Sequence, residues 1–176
     1  MEVAMYSKAK ILGHPIHPML VGFPVAFYTG TLVAFVVYAT TLNLFWFHLA
    51  GVVNWAGVVT AALAAVPGLI DWAAGIPRAS AAKKTGLIHM ALNLVSLSLF
   101  AISAVATMNH WDEVQPSVEG QIALSAVGVL LTLASGFLGW SLVQDHHVGV
   151  QLSREQERLE PVLPASQRAD RPATTH

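Results

Sequence analysis

The chain contains no cysteine. Disulfides, zinc fingers, iron–sulfur ligation and covalent c-type haem attachment by the chain itself are therefore excluded. Charge is almost as scarce. Asp, Glu, Lys and Arg make up 11% of the 176 residues, against about a quarter in an ordinary soluble domain. With 55% hydrophobic residues and a mean hydropathy of +0.58, a chain this short lacks the polar residues for a water-facing surface, and lipid is the solvent that suits it. The net charge of −1 comes with no basic cluster, so nucleic acid is not an expected partner. There is no Gly-x-Ser-x-Gly, no phosphate-binding loop and no His-Glu-x-x-His. Whether the protein is an enzyme is left open, because nothing here names a substrate.

What is present is four long apolar runs, at approximately residues 19–39, 47–70, 87–108 and 122–143. Each is about 20 residues or longer, enough at ~1.5 Å per residue to cross a ~30 Å hydrocarbon layer. None carries Lys, Arg, Asp or Glu within those limits. A soluble helical bundle needs charged outer faces, and these runs have none. The expected fold is all-α: a four-transmembrane-helix antiparallel bundle, up-down-up-down, with short loops joining neighbours. Residues 1–150 form the membrane domain. Residues 151–176 are expected to be a polar cytoplasmic tail, beginning as a short amphipathic helix and then disordered.

Orientation follows from the cations. Lys8 and Lys10 precede the first run, Arg78, Lys83 and Lys84 lie between the second and third, and Arg154, Arg158, Arg168 and Arg171 follow the fourth. All nine basic residues thus fall on one side, and cationic loops stay in the cytoplasm. Both termini are expected there, in a multi-pass protein of a bacterial inner membrane. Trp46, Trp72, Trp111 and Trp140 fall near run ends, as interfacial anchors do. Small residues recur at Gly57, Ala61 and Ala65 and at Gly128, Thr132 and Gly136, a spacing that lets helix backbones approach in lipid.

The same topology gathers histidines. His14 and His17, each followed by proline, enter the first run. Asp71 and Trp72 end the second. His89 begins the third, with Asn93 one turn deeper on the same face. Asp145, His146 and His147 end the fourth. Five of the eight histidines are thus expected at one membrane face, whereas His48 and His110 belong to the other. Pro15 and Pro18 are expected to hold His14 and His17 in extended backbone. Pro24 and Pro67 are expected to kink the first two spans at one depth, either opening the bundle around a cofactor or serving packing alone. Ionisable groups at membrane depth face the interior and tend to mark function. His17, His89 and His146 are the expected core of a shared site, with Asp71 orienting an imidazole through its second nitrogen or pairing with Arg78 or Lys84.

Four motifs carry a resemblance: "HPIHPMLVGFP" at 14–24, "GLIDW" at 68–72, "HMALN" at 89–93 and "GWSLVQDHHVGV" at 139–150. Over residues 11–150 the chain resembles a bacterial membrane-protein family catalogued as domain of unknown function twenty-two thirty-one. The resemblance implies four spans and places His17, His89, His146 and Asp71 on recurrent polar positions. It supplies no activity. The family often has histidine where this chain has Gly22, Gly-Gly where it has Gly139-Trp140, and glycine where it has His147.

Three functional readings follow. In the first, two histidines hold haem b axially, which needs no cysteine. His89 and His146 are the preferred pair, His17 the alternate, and Trp72, Phe23 and Asn93 lie close by. The protein would pass electrons to or from quinone or a redox protein. In the second, His14, His17, His89, His146 and Asp71 hold a non-haem metal (Fe, Cu, Zn or Ni) for metal handling. In the third there is no cofactor, and the cluster is a proton relay, a pH sensor or a structural tie. A conduction path through four helices would call for a homo-oligomer.

Overall fold

The computed structural model describes residues 7–150. The amphipathic helix expected in the tail lies outside them. Four helices are long and apolar enough to cross a membrane: Ile16–Thr41, Leu44–Gly75, Ala81–Met108 and Glu119–Gln144. Such helices imply a lipid bilayer as their surroundings. The first is broken into α1 (Ile16–Leu20) and α2 (Gly22–Thr41). The second is α3 (Leu44–Ile70), continued by a π-helical turn at Asp71–Gly75. The third is α4 (Ala81–Met108) and the fourth α5 (Glu119–Gln144). The main pairings are α2 with α3 and α4 with α5, and the ring is closed by α3 with α4 and α2 with α5.

Each helix begins a few residues before its apolar run. Caps explain two of these starts. The Asn43 side chain accepts from the Phe45 N–H, and Ser80 accepts from the Lys83 N–H, satisfying donors that the first turn leaves free. Lys83 and Lys84 thereby become helical, although they lie outside the apolar run. Breaks follow proline. The Pro24 ring has no N–H for the Leu20 carbonyl and crowds it, and α1 ends at Leu20. Pro67 is tolerated inside α3, with the π-helical turn beginning four residues on.

A two-stranded hairpin precedes α1. β1 (Lys10–Ile11) pairs with β2 (His14–Pro15). Leu12 and Gly13 between them both have positive φ, 49° and 84°, as a type I′ turn demands. His14 is therefore extended, as its following proline predicts, but His17 is not. It lies inside α1.

The bundle is inside out by the standards of water. Leu130, Leu133 and Phe137 are exposed, whereas Thr31, Asn54, Ser96, Ser103, Ser125 and Ser135 are buried. Hydrocarbon accepts the former and cannot hydrogen-bond the latter. The glycines expected to seat backbones instead seat rings. A Cβ on Gly57 would lie 2.7 Å from Tyr28, and one on Gly128 would lie 2.5 Å from Phe100. These two rings stack face to face, 3.6 Å apart and 1° from parallel. Gly136 faces outward, with nothing within 4 Å of its would-be Cβ.

Gly128→Ala should therefore lower the melting temperature in detergent, because overpacking costs about 1–3 kcal/mol against a helix-propensity gain of about 0.5–1 kcal/mol. Gly136→Ala should leave it unchanged or raise it slightly. Equal behaviour of the two variants would contradict the ring-socket account.

Candidate functional site

His17 and His89 meet at one end of the bundle. Their ring centroids are 6.2 Å apart and their planes cross at 87°. Each ring is fixed from a different helix. His17 Nδ1 lies 2.8 Å from the Ala64 carbonyl on α3, and His89 Nδ1 lies 2.8 Å from the Ser135 carbonyl on α5. A carbonyl only accepts, so both Nδ1 atoms donate, and in the neutral rings Nε2 then carries the lone pair. That tautomer is the one that ligates a metal through Nε2 with its second nitrogen oriented by a carbonyl.

The motifs interlock around these rings. A Cβ on Gly68 would stand 2.8 Å from His17 Nδ1, and one on Gly139 would stand 3.1 Å from His89 Cε1. A Cβ on Gly86 would stand 2.8 Å from Trp72. The glycine opening "GLIDW" is thus the socket for the second histidine of "HPIHP", and the glycine opening "GWSLV" is the socket for the histidine of "HMALN". Asn93 lies where the i, i+4 spacing placed it. Its amide donates to the His89 carbonyl at 2.9 Å and to Ser135 Oγ, and lies 3.2 Å from His89 Nε2. Ser135, which sequence reading missed, accepts from Asn93 and donates back to the His89 carbonyl at 3.1 Å. No motif marks this serine. It is identified only by facing His89 across α4 and α5.

The other expected ligands stand apart from this pair. His14 is exposed on the hairpin strand. His146 lies in the turn after α5, its main-chain N–H bonded to Ser141 O at 3.2 Å, and its ring has no hydrogen-bond partner among the described residues. Among those residues, no group of three or more His, Cys, Asp or Glu side chains could hold a metal ion. The five-ligand site of His14, His17, His89, His146 and Asp71 is therefore not assembled. The reason lies in the chain entry. The hairpin leaves His14 exposed, and His146 lies beyond the end of α5 at Gln144.

Asp71 has a different task from either expected one. Its carboxylate accepts from Ser7 Oγ at 2.8 Å and from the main-chain N–H groups of Lys8 and Ala9 at 2.6 and 2.9 Å. It orients no imidazole. It clamps the segment leading into the hairpin, and so holds the chain from which His17 hangs. Trp72 is likewise engaged. Its Nε1 donates to the Lys83 carbonyl at 3.1 Å, and Lys83 Nζ lies 4.0 Å above its ring while donating to the Trp72, Ala73 and Ile76 carbonyls. A cation here meets the free carbonyls at a helix C-terminus. Phe23 is exposed, facing outward. His147 has φ of 52°, the left-handed backbone that glycine enters freely, which accounts for the glycine usual at that position in the resembling family.

At the opposite end, His48 stacks on Trp111 at 4.4 Å and its Nε2 lies 2.8 Å from the Trp111 carbonyl. Tyr38 accepts from the Gln115 N–H and donates to the Gln115 carbonyl, both at 2.8 Å. These contacts tie the loop after α4 to α2 and α3.

Asp71→Ala should release the segment before the hairpin. Tryptic cleavage after Lys8 and Lys10 in detergent micelles should speed up about tenfold, as the loss of charge-assisted bonds of ~1.5–3 kcal/mol each would allow. Unchanged cleavage would contradict the clamp.

No curated protein and no solved structure matches the chain. The family described as Predicted membrane protein (DUF2231) matches residues 13–152, which takes in all four membrane helices and each of the interlocking motifs. The chain belongs to that family.

Proposed function

We propose that this protein is a membrane-bound electron carrier that holds haem b between His17 and His89. The observation that carries the reading is the histidine pair itself: crossed rings at 6.2 Å, with both Nδ1–H groups bonded to carbonyls of flanking helices. An imidazole nitrogen binds a metal at about 2.0–2.1 Å, so two rings on opposite sides of one ion stand roughly 6 Å apart, centroid to centroid. A direct N–H···N bond would bring the centroids to roughly 5 Å.

Ligand number favours haem over a bare metal. Two imidazoles cannot complete a four-coordinate site alone, whereas a porphyrin supplies four nitrogens and asks the protein only for axial ligands. His17 and His89 replace His89 and His146 as the pair to which the reading is assigned. The chemistry supplied by the group when bound is one-electron transfer. The protein's share is to fix both tautomers and exclude water. Quinone or a redox protein is the partner class such a carrier would serve.

A second reading has its own support. The Asn93 amide lies 3.2 Å from His89 Nε2, so His89, Asn93 and Ser135 can form a closed network tying α4 to α5 with no cofactor. Sidedness belongs to the proposal too. The cationic loops support a cytoplasmic histidine end and cytoplasmic termini, in a bacterial inner membrane.

Protein purified with haem supplied should show a Soret band and sharp bands on reduction. His17→Ala and His89→Ala should each remove at least nine-tenths of bound haem, while His146→Ala keeps it. A wild-type sample that binds no haem would end the reading in favour of the cofactor-free network. For sidedness, green fluorescent protein fused after His176 should fluoresce, and alkaline phosphatase fused there should be inactive. The reverse pattern would overturn the orientation.

A further inference from the structure

Far from the histidine pair, the bundle buries polar groups that no protein atom satisfies. Among the described residues, Asn54 Nδ2 and Oδ1, Ser103 Oγ, Ser125 Oγ and Tyr28 OH have no hydrogen-bond partner. Asn54, Ser103 and Ser125 are wholly buried, and Tyr28 is 3% exposed. In hydrocarbon, an unpaired polar group of this kind costs several kcal/mol, and natural proteins rarely leave one dry.

The helix register brings these groups to one level. Tyr28 packs on Gly57, so Thr31, one turn on in α2, is level with Asn54 in antiparallel α3. A Cβ on Gly51 would lie 3.2 Å from Thr107, so Asn54 lies near the level of Ser103 in α4. Ser96 bonds Thr132 at 2.8 Å and Phe100 packs on Gly128, so Ser103 is level with Ser125 in α5. Each of the four membrane helices thus places one buried polar residue at the same depth. Thr31 spends its proton on the Phe27 carbonyl at 2.9 Å and keeps an oxygen that can accept. On the side of the histidine pair, the stacked rings of Tyr28 and Phe100 close the level off.

We infer that Thr31, Asn54, Ser103 and Ser125, with the Tyr28 hydroxyl, form a site for a small cluster of bound water that links all four helices, in the half of the bundle away from the histidine pair. Buried water takes two to four polar partners, and bridging water joins groups that share a level but make no direct bond. The donor inventory selects water over a cation. The Asn54 amide brings two N–H groups, which a metal ion cannot satisfy, and no carboxylate is present to offset a charge. The site lies about 21 Å along α4 from His89, fourteen residues at ~1.5 Å each. It stands independently of any cofactor at the histidine pair.

The test is infrared spectroscopy of wild type and Asn54→Leu in ordinary and oxygen-18 water. Wild type should show an O–H stretching band that shifts with the oxygen isotope, and Asn54→Leu should lose it. Its melting temperature should fall by roughly 3–8 °C. If Asn54→Leu does not fold, the double variant Ser103→Ala, Ser125→Ala is read in the same way. The band decides. A wild-type spectrum without an isotope-sensitive band of this kind would overturn the inference, and a raised melting temperature for Asn54→Leu would agree with that result, because an isosteric apolar side chain then relieves a dry orphan.

Discussion

Hydrocarbon cannot hydrogen-bond, and the structure follows from that constraint. Exposed Leu, Val and Phe side chains carry no penalty on the outside, so apolar burial does little to hold the four helices together. Cohesion comes instead from ring-to-glycine packing and from polar groups that have nowhere else to bond. Tyr28 and Phe100 in the sockets of Gly57 and Gly128, Ser96 with Thr132, and the network of His89, Asn93 and Ser135 are examples from successive depths.

The histidine pair ties helices together and, in the proposed function, would also be the site. His17 joins the entry segment to α3, and His89 joins α4 to α5. Those bonds use the Nδ1 of each ring, and the Asn93 amide lies 3.2 Å from the Nε2 of His89. The supports extend outward through the glycine sockets at Gly68 and Gly139, through Asp71 holding the chain before the hairpin, and through Lys83 with Trp72 locking the end of α3 to the start of α4.

Much of this was legible in the sequence, for physical reasons. Length and the absence of charge determine four spans, and the i, i+4 relation places Asn93 beside His89. The helix starts were not legible from apolar runs, because Asn43 and Ser80 extend helices by capping rather than by hydrophobicity. The hairpin was missed because Leu12 in a left-handed conformation is an unusual residue for a type I′ turn. Without it, His14 and His17 are both expected in extended backbone, although the turn leaves one exposed and the helix takes in the other. Asp71 stood out in the sequence, but its role did not, since two of its partners are main-chain N–H groups that have no sequence signature. The polar level at Thr31, Asn54, Ser103 and Ser125 emerges only when the registers of four helices are combined.

In the proposed function His17 and His89, whose ring planes cross at 87°, would be the residues that hold the haem iron. Electron paramagnetic resonance of the ferric, haem-loaded protein tests this most directly. Two axial imidazoles at right angles should give a strongly anisotropic low-spin signal, and that signal should disappear in His89→Ala. A high-spin signal from wild type, or a rhombic low-spin signal of parallel imidazoles, would contradict the account.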